Sequence, residues 1–144
     1  MTAQEIIAKV KELNWPEGSY VVFGSCPMAL AGIREANDID FLVSKELFAE
    51  LKTQGWKQIY KTPNDQPLTK DSFEARGVLE VHDNWNFSLY NPTLEHLLAS
   101  ATLADGVSFA ALKEVRKWKA AAGRPKDLKD VELIDEYLKK QSAA

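Results

Sequence analysis

The chain has 144 residues, 45% of them hydrophobic and 27% charged, with a net charge of −3. One compact domain suits that length, and the composition excludes a disordered tail, a collagen-like fibre and a disulfide-stapled miniprotein. Cys26 is the only cysteine, no apolar run approaches the ~20 residues of a membrane span, and the acidic balance speaks against a general DNA binder; a cytoplasmic protein away from membranes is expected.

Met1-Thr2-Ala3-Gln4-Glu5 lacks the basic and apolar start of a secretory signal. Thr2 and Glu5 instead have capping-box spacing, and Ile6, Ile7, Val10 and Leu13 follow at helical intervals, predicting a helix over 3–13. Tyr20 to Phe23 reads as a strand ending at Gly24-Ser25, and a short helix is expected from Pro27 to about Gly32. Asp38 to Val43 reads as a second strand. Ser44 then caps a helix over 45–53 that ends at Gly55.

Trp56 to Tyr60 is expected as a third strand, followed by a polar loop containing Pro63, Asn64, Asp65 and Pro67. Val78 to Asp83 reads as another strand, which Trp85 to Tyr90 extends. From Pro92 the pattern reads as wholly helical: one helix to about Leu103, one from Ser108 to Ala122, and one from Arg124-Pro125. In that last helix Leu128, Val131, Ile134 and Leu138 form a stripe expected to be buried. The fold class is therefore α+β, a small mixed sheet at about 20–90 with a helical part at about 91–140, in one domain over 1–144.

Charge is unevenly spread. Seven basic residues from Lys113 to Lys129 stand against Glu114 and Asp127, giving +5 locally and −8 elsewhere. A solvated helix face explains such a run; so does a basic wall facing an acidic centre that holds an anionic substrate through metal ions.

The acidic centre has candidates. Asp38 and Asp40 are two apart on a strand and so project from one face. Two adjacent carboxylates repel unless a divalent cation neutralises them. Gly24-Ser25 closes a strand before a helix, where backbone N–H groups and a hydroxyl can meet a phosphate. A third carboxylate comes from Glu80, which alternates with Leu79 and Val81, or from Asp83; alternation favours Glu80. Cys26 reads as a small buried residue, His82 as structural or as touching substrate or metal, and the four tryptophans as core.

Gly24-Ser25 followed by Asp38-x-Asp40, with thirteen positions from Ser25 to Asp38, resembles the signature of the polymerase-β-like nucleotidyltransferase superfamily. Gly123-Arg124-Pro125-Lys126-Asp127-Leu128-Lys129-Asp130 is similar to a segment of its small bacterial members, such as the lincosamide-type and abortive-infection-type proteins. The matching stretches cover less than half the chain. The resemblance implies an enzyme that transfers a nucleoside monophosphate from a nucleoside triphosphate, such as ATP, to a hydroxyl of a small molecule, a protein or an RNA end. It implies two Mg²⁺ ions, or Mn²⁺ in their place, held by Asp38, Asp40 and Glu80, with Glu80 also helping to accept the hydroxyl proton. Gly24, Ser25, Arg124 and Lys126 would bind the nucleotide phosphates. Glu80 is one methylene longer than the family's usual Asp, and Cys26-Pro27 follows Gly-Ser where many minimal members have small residues and then Arg. The same fold would also suit a non-catalytic nucleotide-binding or protein-interaction module, or a toxin–antitoxin component that modifies or masks a partner. Whether two copies build an acceptor pocket as a homodimer stays open.

Overall fold

The computed structural model describes residues 1–63, 65–70, 79–87 and 89–143. Its elements in chain order are α1 (Ala3–Leu13), β1 (Tyr20–Phe23), α2 (Cys26–Leu30), β2 (Ile39–Val43), α3 (Lys45–Thr53), β3 (Lys57–Gln58) and β4 (Leu68–Thr69). They continue with β5 (Leu79–His82), α4 (Leu94–Ala99), β6 (Thr102–Ala104), β7 (Val107–Phe109), α5 (Leu112–Ala122) and α6 (Pro125–Ala143). The seven strands form one mixed sheet in the order β3-β4-β5-β2-β1-β7-β6. The α+β expectation is met.

Local chemistry sets the boundaries. Thr2 and Glu5 close a reciprocal capping box on α1, and Ser44 accepts from the Leu47 amide to start α3. Asn14 and Gly123, both left-handed, end α1 and α5. Among the described residues, no helix is long and apolar enough to cross a membrane.

Strand alternation divides the core into two layers. Tyr20, Val22, Ile39, Phe41, Val43 and Val81 point to one side, under Ile6 and Val10 of α1 and Leu47, Phe48 and Leu51 of α3. Val21, Phe23 and Leu42 point to the other, against Leu97 of α4, Val115 and Trp118 of α5 and Ile134 of α6. β2 pairs antiparallel with β1 and parallel with β5, in a register that sets Asp40 level with Glu80. Asp40, Glu80 and His82 therefore share the face of Leu42, at the rim of the second layer.

Four expectations change. Residues 102–109, read as helical, form the β6–β7 hairpin, turning at Asp105 and Gly106, both with positive φ; Ser108 is buried in β7 rather than opening a helix. Among the described residues, 85–87 and 89–90 do not extend the sheet, and Phe87 and Tyr90 form an isolated bridge. β3 is two residues long, and β4 lies in what reads as loop. In α6, Leu128 is 49% and Leu138 36% exposed, while Asp127 and Asp130 are buried beside Ile134. That helix is turned so that its acids meet cations of α5 and of the 31–38 loop, an ion-pair preference that hydrophobic periodicity cannot register. Val78, expected to open β5, lies outside the described residues.

Candidate functional site

Asp38, Asp40 and Glu80 line one wall of a cavity of about 860 Å³, a size usual for small-molecule sites. Lys119, Arg124, Lys126 and Lys129 of the C-terminal segment line the cavity too, together with Asp127 and Asp130. Ser25 and Arg34 also face it, and Trp85, Phe87 and Trp118 contribute an aromatic side. Of the basic run read from the sequence, these four residues share the cavity with the acidic strands, while Arg116 pairs with Asp135 and Lys117 with Glu114. Asp83, the other candidate third carboxylate, is exposed and accepts from the amide of Asn84; it is not among the cavity-lining residues.

The acidic wall carries its own counter-charges. Ligand atoms of Asp40, Glu80 and His82 all lie within 4.8 Å of one another. Lys61 Nζ donates to Glu80 Oε2 at 2.8 Å, and His82 Nδ1 pairs with Asp65 Oδ1 at 3.0 Å. His82 Nε2 sits 3.7 Å from both Asp40 Oδ1 and Glu80 Oε2, too far for a hydrogen bond. It is buried and has no hydrogen-bond partner among the described residues.

These neighbours govern protonation. Burial pushes Glu80 up, but His82 and the Lys61 ammonium more than offset it and hold the carboxyl at about 2, so in this arrangement it is a weak proton acceptor. Burial would likewise discharge His82, yet the acids Asp40, Asp65 and Glu80 around it raise it to about 10. Asp38 is raised, first by burial and then by the like charges of Asp40 and Glu80. Cys26 is raised to about 12 by burial and by Asp40, and its thiol donates to the Asp38 carbonyl at 3.2 Å. That is the inert buried thiol expected from the sequence.

The donor set fits a divalent cation. Two carboxylates and an imidazole nitrogen converge, that nitrogen is buried with no hydrogen-bond partner among the described residues, a third carboxylate lines the same cavity, and a bound cation would replace the proton that the acids otherwise hold on His82.

Gly24-Ser25 acts differently from a helix-dipole anion site, because α2 spans only five residues. Gly24 has φ +64°, and a Cβ there would overlap the Asp40 carboxylate, so this glycine makes room for the acid. Gly18 also has positive φ, at +87°, but open space around it. Gly24→Ala is expected to cost about 2 kcal/mol, from backbone strain plus displacement of Asp40, and Gly18→Ala about 1 kcal/mol from strain alone. Urea unfolding of the two variants checks this; equal losses would show that the Gly24–Asp40 approach contributes nothing.

Ser25 gives no side-chain cap to α2. Its Oγ instead accepts from Arg34 Nη2 at 2.9 Å and Lys119 Nζ at 3.3 Å. Both cations pair with Asp130, at 2.7 and 2.8 Å. Arg124 lines the cavity, but its guanidinium is engaged by Asp127, with Nε 2.6 Å from Oδ2. Lys126 lines it and is exposed. Sequence reasoning singled out neither Lys61 nor Lys119 as a site residue. His82 had a readable signal: it follows Glu80 by two positions on a strand and so shares its face.

No model of a known protein family matches the chain, and no curated protein is significantly similar to it in sequence. Among solved structures, it matches ANT(2″)-Ia, an aminoglycoside nucleotidyltransferase of polymerase-β-like fold, in complex with adenylyl-2″-tobramycin. The TM-score is 0.54 at 16% identity, over 94% of this chain and 86% of that one. The likeness establishes a shared fold.

Proposed function

We propose that the chain is a divalent-cation-dependent nucleotidyltransferase, moving a nucleoside monophosphate from a nucleoside triphosphate to a hydroxyl acceptor. The observation that carries this reading is the register of β2 against β5, which sets Asp40 level with Glu80 in a cavity that cations of the C-terminal segment also line. In such a transfer the acceptor oxygen bonds to the α-phosphorus, the bond from that phosphorus to the bridging oxygen breaks, and pyrophosphate leaves. The acceptor proton passes to a carboxylate of the cavity other than Glu80, which is held at about 2 and accepts it weakly.

Asp38, Asp40, Glu80 and His82 would hold the metal, Mg²⁺ or Mn²⁺, which when bound supplies charge neutralisation for attacking and leaving oxygens. Ser25, with Arg34 and Lys119 donating to its oxygen, keeps its own proton free to donate to a phosphate. Lys126 and Lys129 add positive charge at the cavity, as does Arg124 if the nucleotide competes with Asp127. Tobramycin with ATP is the first acceptor pair to test, given the product bound to the structural neighbour.

Label transfer from each of the four ribonucleotides, with Mg²⁺ or Mn²⁺, tests the reading. A parallel melting series should show nucleotide stabilisation that needs the metal and grows with ligand, about 2.7 kcal/mol at a hundredfold excess over the dissociation constant. Absence of both binding and transfer would end it.

One observation favours a second reading, a non-catalytic nucleotide-binding module. Lys61 and His82 already balance Glu80 and Asp40 without any metal. Nucleotide binding without turnover through long incubation would select it.

A further inference from the structure

Glu80 Oε2 serves two masters. It faces His82 Nε2 at 3.7 Å as part of the converging donor set, and it accepts from Lys61 Nζ at 2.8 Å. The ammonium takes one lone-pair site of that oxygen, and its positive charge repels a cation drawn to the same carboxylate.

Lys61 comes from the β3–β4 connection, which holds the acidic wall at two points. Its neighbour Asp65 grips His82 Nδ1 at 3.0 Å. The turn is closed on itself, with Thr62 N to Asp65 O and Asp65 N to Thr62 O both at 3.1 Å. The Lys61 side chain is 45% exposed against 8% for Glu80. It can leave Glu80 without breaking the turn or uncovering core, while the buried carboxylate cannot follow it.

We propose that Lys61 is a tethered cation that occupies Glu80 in the metal-free protein and must be displaced by the divalent ion, so that it sets the affinity of the site. The inference rests on the metal-dependent reading of the cavity. In the metal-free state the ammonium gives a buried carboxylate its hydrogen-bonded counter-charge, with His82 more distant. On loading, its withdrawal subtracts from the metal's binding energy and frees a cation at the cavity wall. A site open in about one molecule in ten binds its ligand about tenfold more weakly than a permanently open one.

Mn²⁺ titration followed by the electron paramagnetic resonance of the free ion tests this on wild type, Lys61→Met, Lys61→Arg and Asp40→Asn. Lys61→Met should bind Mn²⁺ about tenfold more tightly than wild type, while Lys61→Arg stays near wild type because the tethered charge is kept. The metal-free Lys61→Met protein should melt below wild type and gain more from Mn²⁺, which shows that it is folded. Brief acetylation of wild type, read by mass spectrometry, should label Lys61 more with Mn²⁺ than without. Equal Mn²⁺ affinity in wild type and Lys61→Met, with binding lost in Asp40→Asn, would overturn the tether and leave the metal site standing. Mn²⁺ binding by none of the four proteins would overturn the metal site and the tether with it.

Discussion

Asp40→Asn is expected to lower nucleotide transfer by about 10³-fold, the scale on which loss of one preorganised charge at a phosphoryl or acyl centre is felt. Asparagine keeps the shape beside Gly24, so Asp40→Asn should unfold near the wild-type temperature. What it removes is the charge 3.7 Å from His82 and level with Glu80 across the β2–β5 pair. Metal-dependent stabilisation by nucleotide should vanish with the activity. Comparable transfer rates in Asp40→Asn and wild type, measured with saturating nucleotide, would remove Asp40 from the machinery. Asp38→Asn should also impair transfer, because Asp38 shares the wall and feels both neighbouring carboxylates.

The largest effect on stability should come from Asp130→Ala, at about 3 kcal/mol, as is usual when one partner of a buried ion pair is removed. Lys119 is almost wholly buried and lies 2.8 Å from Asp130, with Asp127 at 3.9 Å as its other carboxylate. Truncation strands that ammonium and releases Arg34, whose Nη2 is 2.7 Å from Asp130 Oδ2. For a domain of this size the loss is about 10 °C in melting temperature.

The effect has a defined pH dependence. Burial alone would raise the Asp130 carboxyl, but hydrogen bonds from Arg34 and Lys119 more than offset it and hold it below its ordinary range. The unfolded chain therefore binds this proton more readily than the folded one. The stabilisation is complete above the ordinary aspartate range, near pH 4, and drains away as pH falls through the lowered value. The wild-type and Asp130→Ala unfolding free energies should differ by a constant amount at neutral pH and converge below about pH 4. A difference that persists undiminished at lower pH would show that the carboxylate's charge is not what stabilises this junction.

The strands that build the acidic wall were legible because their signals are local. Tyr20 to Phe23 and Ile39 to Val43 are mostly apolar β runs, and period-two alternation set Asp40 and Glu80 apart from their apolar neighbours; Asp38, read on the same strand face as Asp40, lies just before β2 and outside the converging group. The cap at Thr2 and the stops at Gly55 and Gly123 were legible for the same reason. The β6–β7 hairpin was not: Thr102 to Phe109 is too short and too weakly alternating to stand out between two helices, and its turn rests on Asp105 and Gly106 at positive φ. β4 was missed because two residues of strand carry no period.

The site's counter-charges were illegible for another reason. Lys61 and Asp65 sit in a polar loop, and only the tertiary placement of that loop brings them to Glu80 and His82. Arg34 and Asp130 are 96 positions apart, and their pairing decides which face of α6 is buried. Leu128 and Leu138 marked the wrong stripe because two buried acids with cationic partners outweighed the hydrophobic pattern at the start of that helix. Register and spacing thus revealed the carboxylates, while their partners needed the fold.

A crystal of the wild-type chain soaked with Mn²⁺ and a non-hydrolysable nucleoside triphosphate, with data collected at the manganese absorption edge, is the most direct test. The expected result is an anomalous peak between the Asp40 and Glu80 carboxylates, with the triphosphate reaching from it toward Ser25 and Lys126 and the Lys61 ammonium withdrawn. Nucleotide bound in the cavity with no anomalous density at those carboxylates, and Lys61 still on Glu80, would contradict it.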